Sequence, residues 1–275
     1  MRNRTIAFGV AILAVLGFGA ASAVAAPADT GSRVELAGGP AESRLDAIKD
    51  RGSVQVCSTG DYRPFTYLDP ETGEWSGIDL DMAGDMAKRL GVDLEIVETT
   101  WSNLMDDLGK RCDLAVGGVS ITLERAEQAF FTEAILQDGK TPITRCENVD
   151  KFQTLEQIDQ PGVRAIVNPG GTNEEFADTN LKQATIVRHP DNNTIFEEIV
   201  AGNADLMITD AAETKWQANE HPELCSVHPE EPFTFSEKAY LLPRGDVIFQ
   251  QWVDQWLNIA RNDGTYDRFA EPWLG

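Results

Sequence analysis

The sequence predicts an α/β protein of two lobes with a hinge and a central cleft. Short apolar runs alternate with helix-like stretches, the order that produces parallel sheets. The rhythm stops at the extended run Thr141-Pro142-Ile143-Thr144 and then begins again as a second α/β unit. After that unit the chain returns through another strand and a long amphipathic helix, so it crosses twice between the lobes. Ligands of parallel sheets bind at the carboxyl ends of the strands, and two facing lobes leave a cleft there.

Taken in order, residues 1–25 have the build of a cleaved secretory signal. Arg2 and Arg4 precede the apolar run Ile6 to Phe18, and Ala21-Ser22-Ala23 or Ala23-Val24-Ala25 supplies small residues for cleavage. The run is shorter than the roughly 20 apolar residues of a membrane span, so no membrane anchor is expected. A flexible leader rich in Ala, Gly and Pro fills 26–42. Lobe 1 then takes 43–144 and 236–275, and lobe 2 takes 145–235. In lobe 1 a helix over Leu45 to Lys49 stops at Gly52 and the strand Val54 to Cys57 follows. Asp79 to Leu90 is a helix with acids at its start, Lys88 and Arg89 in its last turn and Gly91 beyond. The strand Val92 to Val97, a helix over Trp101 to Leu108 and the strand Asp113 to Val116 complete the unit. Lobe 2 reads as helix Leu155 to Ile158, strand Arg164 to Val167, helix Asn173 to Leu181, strand Thr185 to Val187, helix Asn193 to Ala201 and strand Asp205 to Ile208. The return is the strand Lys238 to Leu242 and the helix Val247 to Arg261.

The 275 residues carry 45 acidic and 23 basic side chains, a formal charge of -22. That balance excludes nucleic acid and anionic lipid surfaces as main partners, since both need clustered Lys and Arg. Loss of residues 1–25 would remove two arginines and no acid, so an exported chain is more acidic still. With only 8 lysines to 15 arginines, the surplus of acid implies adaptation to salty surroundings, where screening weakens the repulsion. The four cysteines lack close metal-type spacing, and an oxidising compartment favours at least one disulfide. Cys146 with Cys225 is the preferred pair. Cys57 and Cys112, on strands, read as free buried thiols. His189, His221 and His228 each precede Pro and read as loop residues, and no metal or cofactor site is expected. There is no Gly-x-Ser-x-Gly, phosphate loop or dinucleotide fingerprint. A homo-oligomer is left open.

Gly60-Asp61-Tyr62-Arg63-Pro64-Phe65, Gly77-Ile78-Asp79-Leu80-Asp81 and Ser120-Ile121-Thr122-Leu123-Glu124-Arg125 resemble segments of the type II periplasmic solute-binding proteins for amino acids. The likeness covers about 43–272 and implies a two-lobed periplasmic-binding-protein-like (type II) fold. A second set is closer. Phe152 to Gly162, Asn168-Pro169-Gly170-Gly171-Thr172-Asn173-Glu174, His221 to Cys225, Trp101 to Met105 and Asp138 to Thr144 look like the periplasmic cyclohexadienyl dehydratases. That family has the solute-binding fold and converts prephenate to phenylpyruvate, or arogenate to phenylalanine, with loss of water and carbon dioxide and no cofactor. The alternative is a solute-binding protein that delivers an amino acid or other carboxylate to an ABC transporter.

The resemblance places the general acid at Glu174. Read on its own, Thr172 to Glu175 is an N-terminal capping box, which uses Glu175 and leaves Glu174 unexplained. The helix start favours the charged form of Glu174, whereas an anionic substrate and exclusion of water push the other way, so the substrate-bound form is expected to be the protonated one. Gly171, Thr172 and Asn173 at the same helix start offer donors to a substrate carboxylate or hydroxyl. The resemblance puts Arg125 on an α-carboxylate together with Ser120 and Thr122, and the forked guanidinium suits that task. A salt bridge of Arg125 to Glu124 or Glu127 is the alternative. Lys140 is assigned to the second carboxylate. Asp210 ends a strand and either meets the α-amino group of arogenate or caps the next helix. Phe65 and Trp101 are expected to wall a ring site that Asp61 and Tyr62 border.

Overall fold

A computed structural model describes residues 43–274; the expected signal segment and leader lie outside the described residues. Two five-stranded sheets organise them. The first runs Asp93–Glu98, Ser53–Ser58, Leu114–Ala115, Leu241–Pro243, Ala129–Phe131, and the second runs Thr185–Arg188, Arg164–Val167, Leu206–Asp210, Lys140–Arg145, Leu224–Ser226. The centre of each is parallel: Ser53–Ser58 pairs with both of its neighbours in that sense, and so does Arg164–Val167. Because Leu241–Pro243 comes after the whole second sheet yet inserts into the first, the first lobe is interrupted in sequence. Between the sheets Leu136–Asp138 pairs antiparallel with Ser236–Lys238, so both crossings run side by side as a two-stranded ribbon.

Alternation of side chains explains the layering. Along Leu206–Asp210, Met207 joins Ile143, Ile166, Phe196 and Ile199 on one face, while Leu206 and Ile208 join Phe152, Ala165, Val167 and Ala177 on the other. The first sheet is covered by helix Ile78–Leu90 and helix Val247–Asn262, whose Met82, Met86, Phe249, Val253 and Trp256 pack on Val54 and Val56. Helix ends follow the expected chemistry: Ser43 Oγ accepts from Leu45 N at 3.2 Å, and Gly52 and Gly91 adopt left-handed φ of 78° and 72°. No helix among the described residues is long and apolar enough to cross a membrane.

Four expectations need correction. The lobe boundary at 144/145 falls inside a strand, because Lys140 to Thr144 make five consecutive pairings with Asp210 to Leu206 in the second sheet. The helix expected over Trp101 to Leu108 is confined to Leu104–Asp107, since the Trp101 indole is held by Asp61 and Asn103 N turns back to Thr100 O at 3.0 Å. The strand expected over Lys238 to Leu242 is split: Lys238 pairs with Leu136 in the ribbon, while Leu241 pairs with Ala115 and Phe131 in the first sheet. Finally, Cys57 and Cys112 are not free thiols; they are bonded across Cα atoms 5.6 Å apart, because Cys57 pairs with Ala115 just beyond Cys112. Cys146 and Cys225 form the second disulfide, with Cα atoms 4.8 Å apart.

Candidate active site

The carboxyl ends of strands from both sheets converge on one small cavity of about 20 Å³. From the first lobe, Ser58 leads to Tyr62 and Ala115 leads to Gly118 and Ser120; from the second, Val167 leads to Asn168 and Gly171, and Asp210 is itself a strand end. Trp101, Arg125, Thr172, Asn173 and Lys238 complete the lining. Tyr62 meets Trp101 edge-on with centroids 5.5 Å apart, and Phe65 stacks on Tyr62 from behind, also at 5.5 Å. Phe65 is therefore a support for the wall and not part of its surface. Gly118 at φ 67° lies against the Phe65 and Tyr62 rings, where a Cβ would overlap them. Asp61 also stands outside the lining: it accepts from Trp101 Nε1 at 3.0 Å and so fixes the indole, and burial pushes its carboxyl up to about 6.

Arg125 is available for an anion. Thr122 caps its helix, Leu123–Gln128, by accepting from Arg125 N at 3.2 Å, while Arg125 Nη1 donates to Ser120 O at 3.0 Å. Neither Glu124 nor Glu127 forms a salt bridge with it among the described residues. Burial lowers the guanidinium's pKa, as expected for a cation drawn out of water without an ionic partner.

Asp210 is not the helix cap that its place before Ala211 suggested. It starts helix Ala211–Glu220, but its side chain makes no capping bond. Its carboxylate instead receives Lys140 Nζ at 3.0 Å, Lys238 Nζ at 2.5 Å and the Tyr62 hydroxyl. Burial alone would raise its pKa, yet the Lys140 and then the Lys238 charge outweigh that and hold it well below the carboxylate range. Burial raises the Tyr62 hydroxyl, reinforced by the Asp210 charge, so it stays protonated and donates. Lys140 is lowered chiefly by burial; its ammonium donates to Thr172 Oγ1 at 3.0 Å and Asn173 Oδ1 at 2.5 Å and forms an ion pair with Asp210 Oδ1 at 3.0 Å. It faces the adjoining compartment beside Thr122, Glu175 and Phe235. Asn173 is likewise engaged, its Nδ2 donating to Thr209 Oγ1 at 3.0 Å.

Helix Thr172–Asn180 begins at Gly171 with no side-chain cap, so the capping box is not formed; Thr172 serves Lys140 and Glu175 is exposed. Glu174 is half-buried beside the cavity and absent from its lining. One carboxylate oxygen accepts Gly170 N at 2.8 Å and the other meets Arg188 Nε at 2.5 Å. Gly170, at φ 88°, presses against the first lobe: a Cβ there would overlap Ser102 Oγ and lie 2.8 Å from Ser102 N.

Three lining residues escape the sequence reading. Gly118 and Asn168 stand within or beside quoted motifs but carry no signal of their own. Lys238 had one, a lysine opening the buried run Ala239-Tyr240-Leu241-Leu242. Asn168 Oδ1 is buried with no hydrogen-bond partner, an acceptor that a ligand hydroxyl or ammonium would satisfy.

Comparison with known proteins agrees with this architecture. The model of the bacterial extracellular solute-binding proteins, family 3, matches residues 54–275. A cyclohexadienyl dehydratase of Pseudomonas aeruginosa is 57% identical over 234 residues, covering 85% of this chain and 87% of that protein. An L-cystine-binding protein of Escherichia coli (strain K12) is 24% identical over 235 residues, with the same coverages. Among solved structures, an ancestral amino acid-binding protein, a precursor of cyclohexadienyl dehydratase, superposes with TM-score 0.78 at 33% identity, covering 85% of this chain and all of that one. An ancestral cyclohexadienyl dehydratase is 48% identical with TM-score 0.53, covering 85% and 97%. The chain belongs to the bacterial extracellular solute-binding proteins, family 3.

Proposed function

We propose that the protein is a cyclohexadienyl dehydratase, a lyase that converts prephenate to phenylpyruvate and arogenate to phenylalanine. The observation that carries this is the 57% identity with the P. aeruginosa dehydratase over nearly the whole of both chains, against 24% for a cystine-binding relative. The cavity supports it: Tyr62 and Trp101 offer ring surfaces, Arg125 a free guanidinium and Asn168 an unpaired acceptor. The family's description and the two disulfides support work in an oxidising space outside the cytoplasm, the periplasm, after removal of a signal segment.

In this reading the substrate's side-chain carboxylate lies on Arg125 and the Gly171–Thr172 helix start. The ring C–O bond breaks with its electron pair on oxygen, and the carboxylic proton of Glu174 completes the departing water. The C–C bond to the ring carboxylate breaks at the same time; its electron pair closes the aromatic ring, and carbon dioxide leaves. General acid catalysis of this kind supplies typically 10²–10⁴-fold. Glu174 must first leave Arg188, its ion-pair partner, and swing past Asn173 into the cavity. An incoming anion favours that exchange by opposing the negative charge on Glu174.

The test is conversion of prephenate and arogenate by the purified protein with nothing added. Glu174→Gln keeps the shape but has no acidic proton; it is expected to bind substrate and to lose at least about 10²-fold in kcat. Saturable amino-acid binding by the wild type without conversion would establish the transport-type binder instead.

A further inference from the structure

We propose that Asn192 is a positioning residue of the reaction, one that carries the approach of the second lobe through Asp61 to the Trp101 wall of the cavity. The proposal rests on the dehydratase reading above, and it concerns a residue outside the cavity lining. Asn192 belongs to the second lobe, in the turn between strand Thr185–Arg188 and helix Ile195–Val200, where the Asp191 carboxylate caps the turn by accepting from Asn193 N at 3.0 Å. It is 1% exposed. Its Nδ2 donates across to Asp61 O of the first lobe at 2.7 Å, while its contact within its own lobe, to Glu213 Oε1, is longer at 3.3 Å. A buried amide that gives its shorter bond to the opposite lobe makes that bond only when the lobes are together.

Asp61 is the next link. While its peptide oxygen is held from the second lobe, its carboxylate accepts Trp101 Nε1 at 3.0 Å. Backbone and side chain of one residue thus tie Asn192 to the indole. The indole in turn touches both lobes of the site. It meets Tyr62 edge-on with centroids 5.5 Å apart, and it lies on the start of helix Thr172–Asn180, where a Cβ on Gly171 would stand 3.7 Å from Trp101 Cγ, an ordinary contact. Its orientation therefore sets the room left for a substrate ring beside Tyr62 and Gly171. An indole anchored only through Asp61 follows any shift of the Asp61 backbone, and Asn192 is what pins that backbone from the other lobe.

The test is a double-mutant cycle. Steady-state kinetics with prephenate are measured for wild type, Asn192→Leu, Trp101→Phe and the double variant. Trp101→Phe removes the indole N–H and so breaks the chain at Asp61 while keeping an aromatic wall. Asn192→Leu is expected to lower kcat/KM by about threefold to tenfold, the scale of one hydrogen bond, and by less than about twofold in the Trp101→Phe background. No loss, or the same loss in both backgrounds, overturns the assignment; the second result would route the effect through Glu213 or through folding. The indole N–H resonance of Trp101, identified by its disappearance in Trp101→Phe, gives a reading that needs no turnover. It is expected to shift in Asn192→Leu, and an unmoved resonance overturns the assignment. If the wild type does not convert prephenate, the dehydratase reading falls and the resonance alone decides whether Asn192 positions the wall. Should the leucine variant not fold, Asn192→Ala is carried through the same measurements with the same outcomes.

Discussion

Gly170 couples the fold to the proposed chemistry, and Gly170→Ala is the perturbation that exposes the coupling. Two costs can be separated. The backbone at φ 88° strains any residue with a Cβ by about 1–2 kcal/mol, wherever the lobes stand. For a chain of this size that is a fall in Tm of about 2–8 °C. The second cost exists only when the lobes meet as they do here, because the added carbon would overlap Ser102 Oγ and sit 2.8 Å from Ser102 N, closer than a Cβ can approach. Ser102→Gly removes the first obstacle and leaves the second. Steady-state kinetics with prephenate and thermal melts are measured for Gly170→Ala, Ser102→Gly and the double variant. Gly170→Ala should lower kcat/KM by at least about tenfold, or 1.4 kcal/mol. Ser102→Gly should then restore part of kcat/KM and little of the Tm, since only the overlap is relieved. An unchanged kcat/KM in Gly170→Ala, or a double variant no better than the single, would show that the working form does not bring Gly170 against Ser102.

Two further expectations concern stability. Glu213 is fully buried, accepts from Thr209 Oγ1 and Asn192 Nδ2, and burial pushes its carboxyl up to about 8. The folded state therefore keeps a proton that the unfolded chain releases near 4.5, so stability falls as pH rises between those values and then levels off. Glu213→Gln should flatten that slope in denaturant melts from pH 5 to 8; an unaltered slope would assign it to other groups. Removing the Cys57–Cys112 bond, which closes a 55-residue separation, should cost up to about 4 kcal/mol by chain entropy, read from denaturation of Cys57→Ser/Cys112→Ser.

The fold was largely legible in sequence because periodicity and helix punctuation report local physics. Asp79, Lys88, Arg89 and Gly91 mark the limits of helix Ile78–Leu90 within a residue. What sequence could not supply were the partners of polar side chains. Asp210 before Ala211 has the signature of a helix cap, but two lysines distant in sequence take its carboxylate. Thr172 with Glu175 has the signature of a capping box, yet Lys140 claims the threonine. In both cases a local hydrogen bond lost to a charge brought in by the tertiary fold, where a buried ion must be paired. Lys238 was overlooked for the same reason. A lysine before an apolar strand has no local meaning, and its value comes from the ribbon that carries it to Asp210.

The lysines around Asp210 also bear on how one frame can serve both binding and turnover. A solute-binding site for amino acids requires a free acid for the ammonium and a free cation for the carboxylate. Here the acid is retained, yet its charge is spent on Lys140 and Lys238, while Arg125 remains open. Arg125 and Lys238 on the cavity wall also answer the difficulty that the overall charge of -22 poses for an anionic substrate. Attraction at long range is weak after screening over about 8–10 Å, so capture depends on groups close enough to act unscreened. Buried lysines meet that condition, and they hold their position because Asp210 has already compensated part of the cost of burying them. The same pairing keeps two cations buried beside the site.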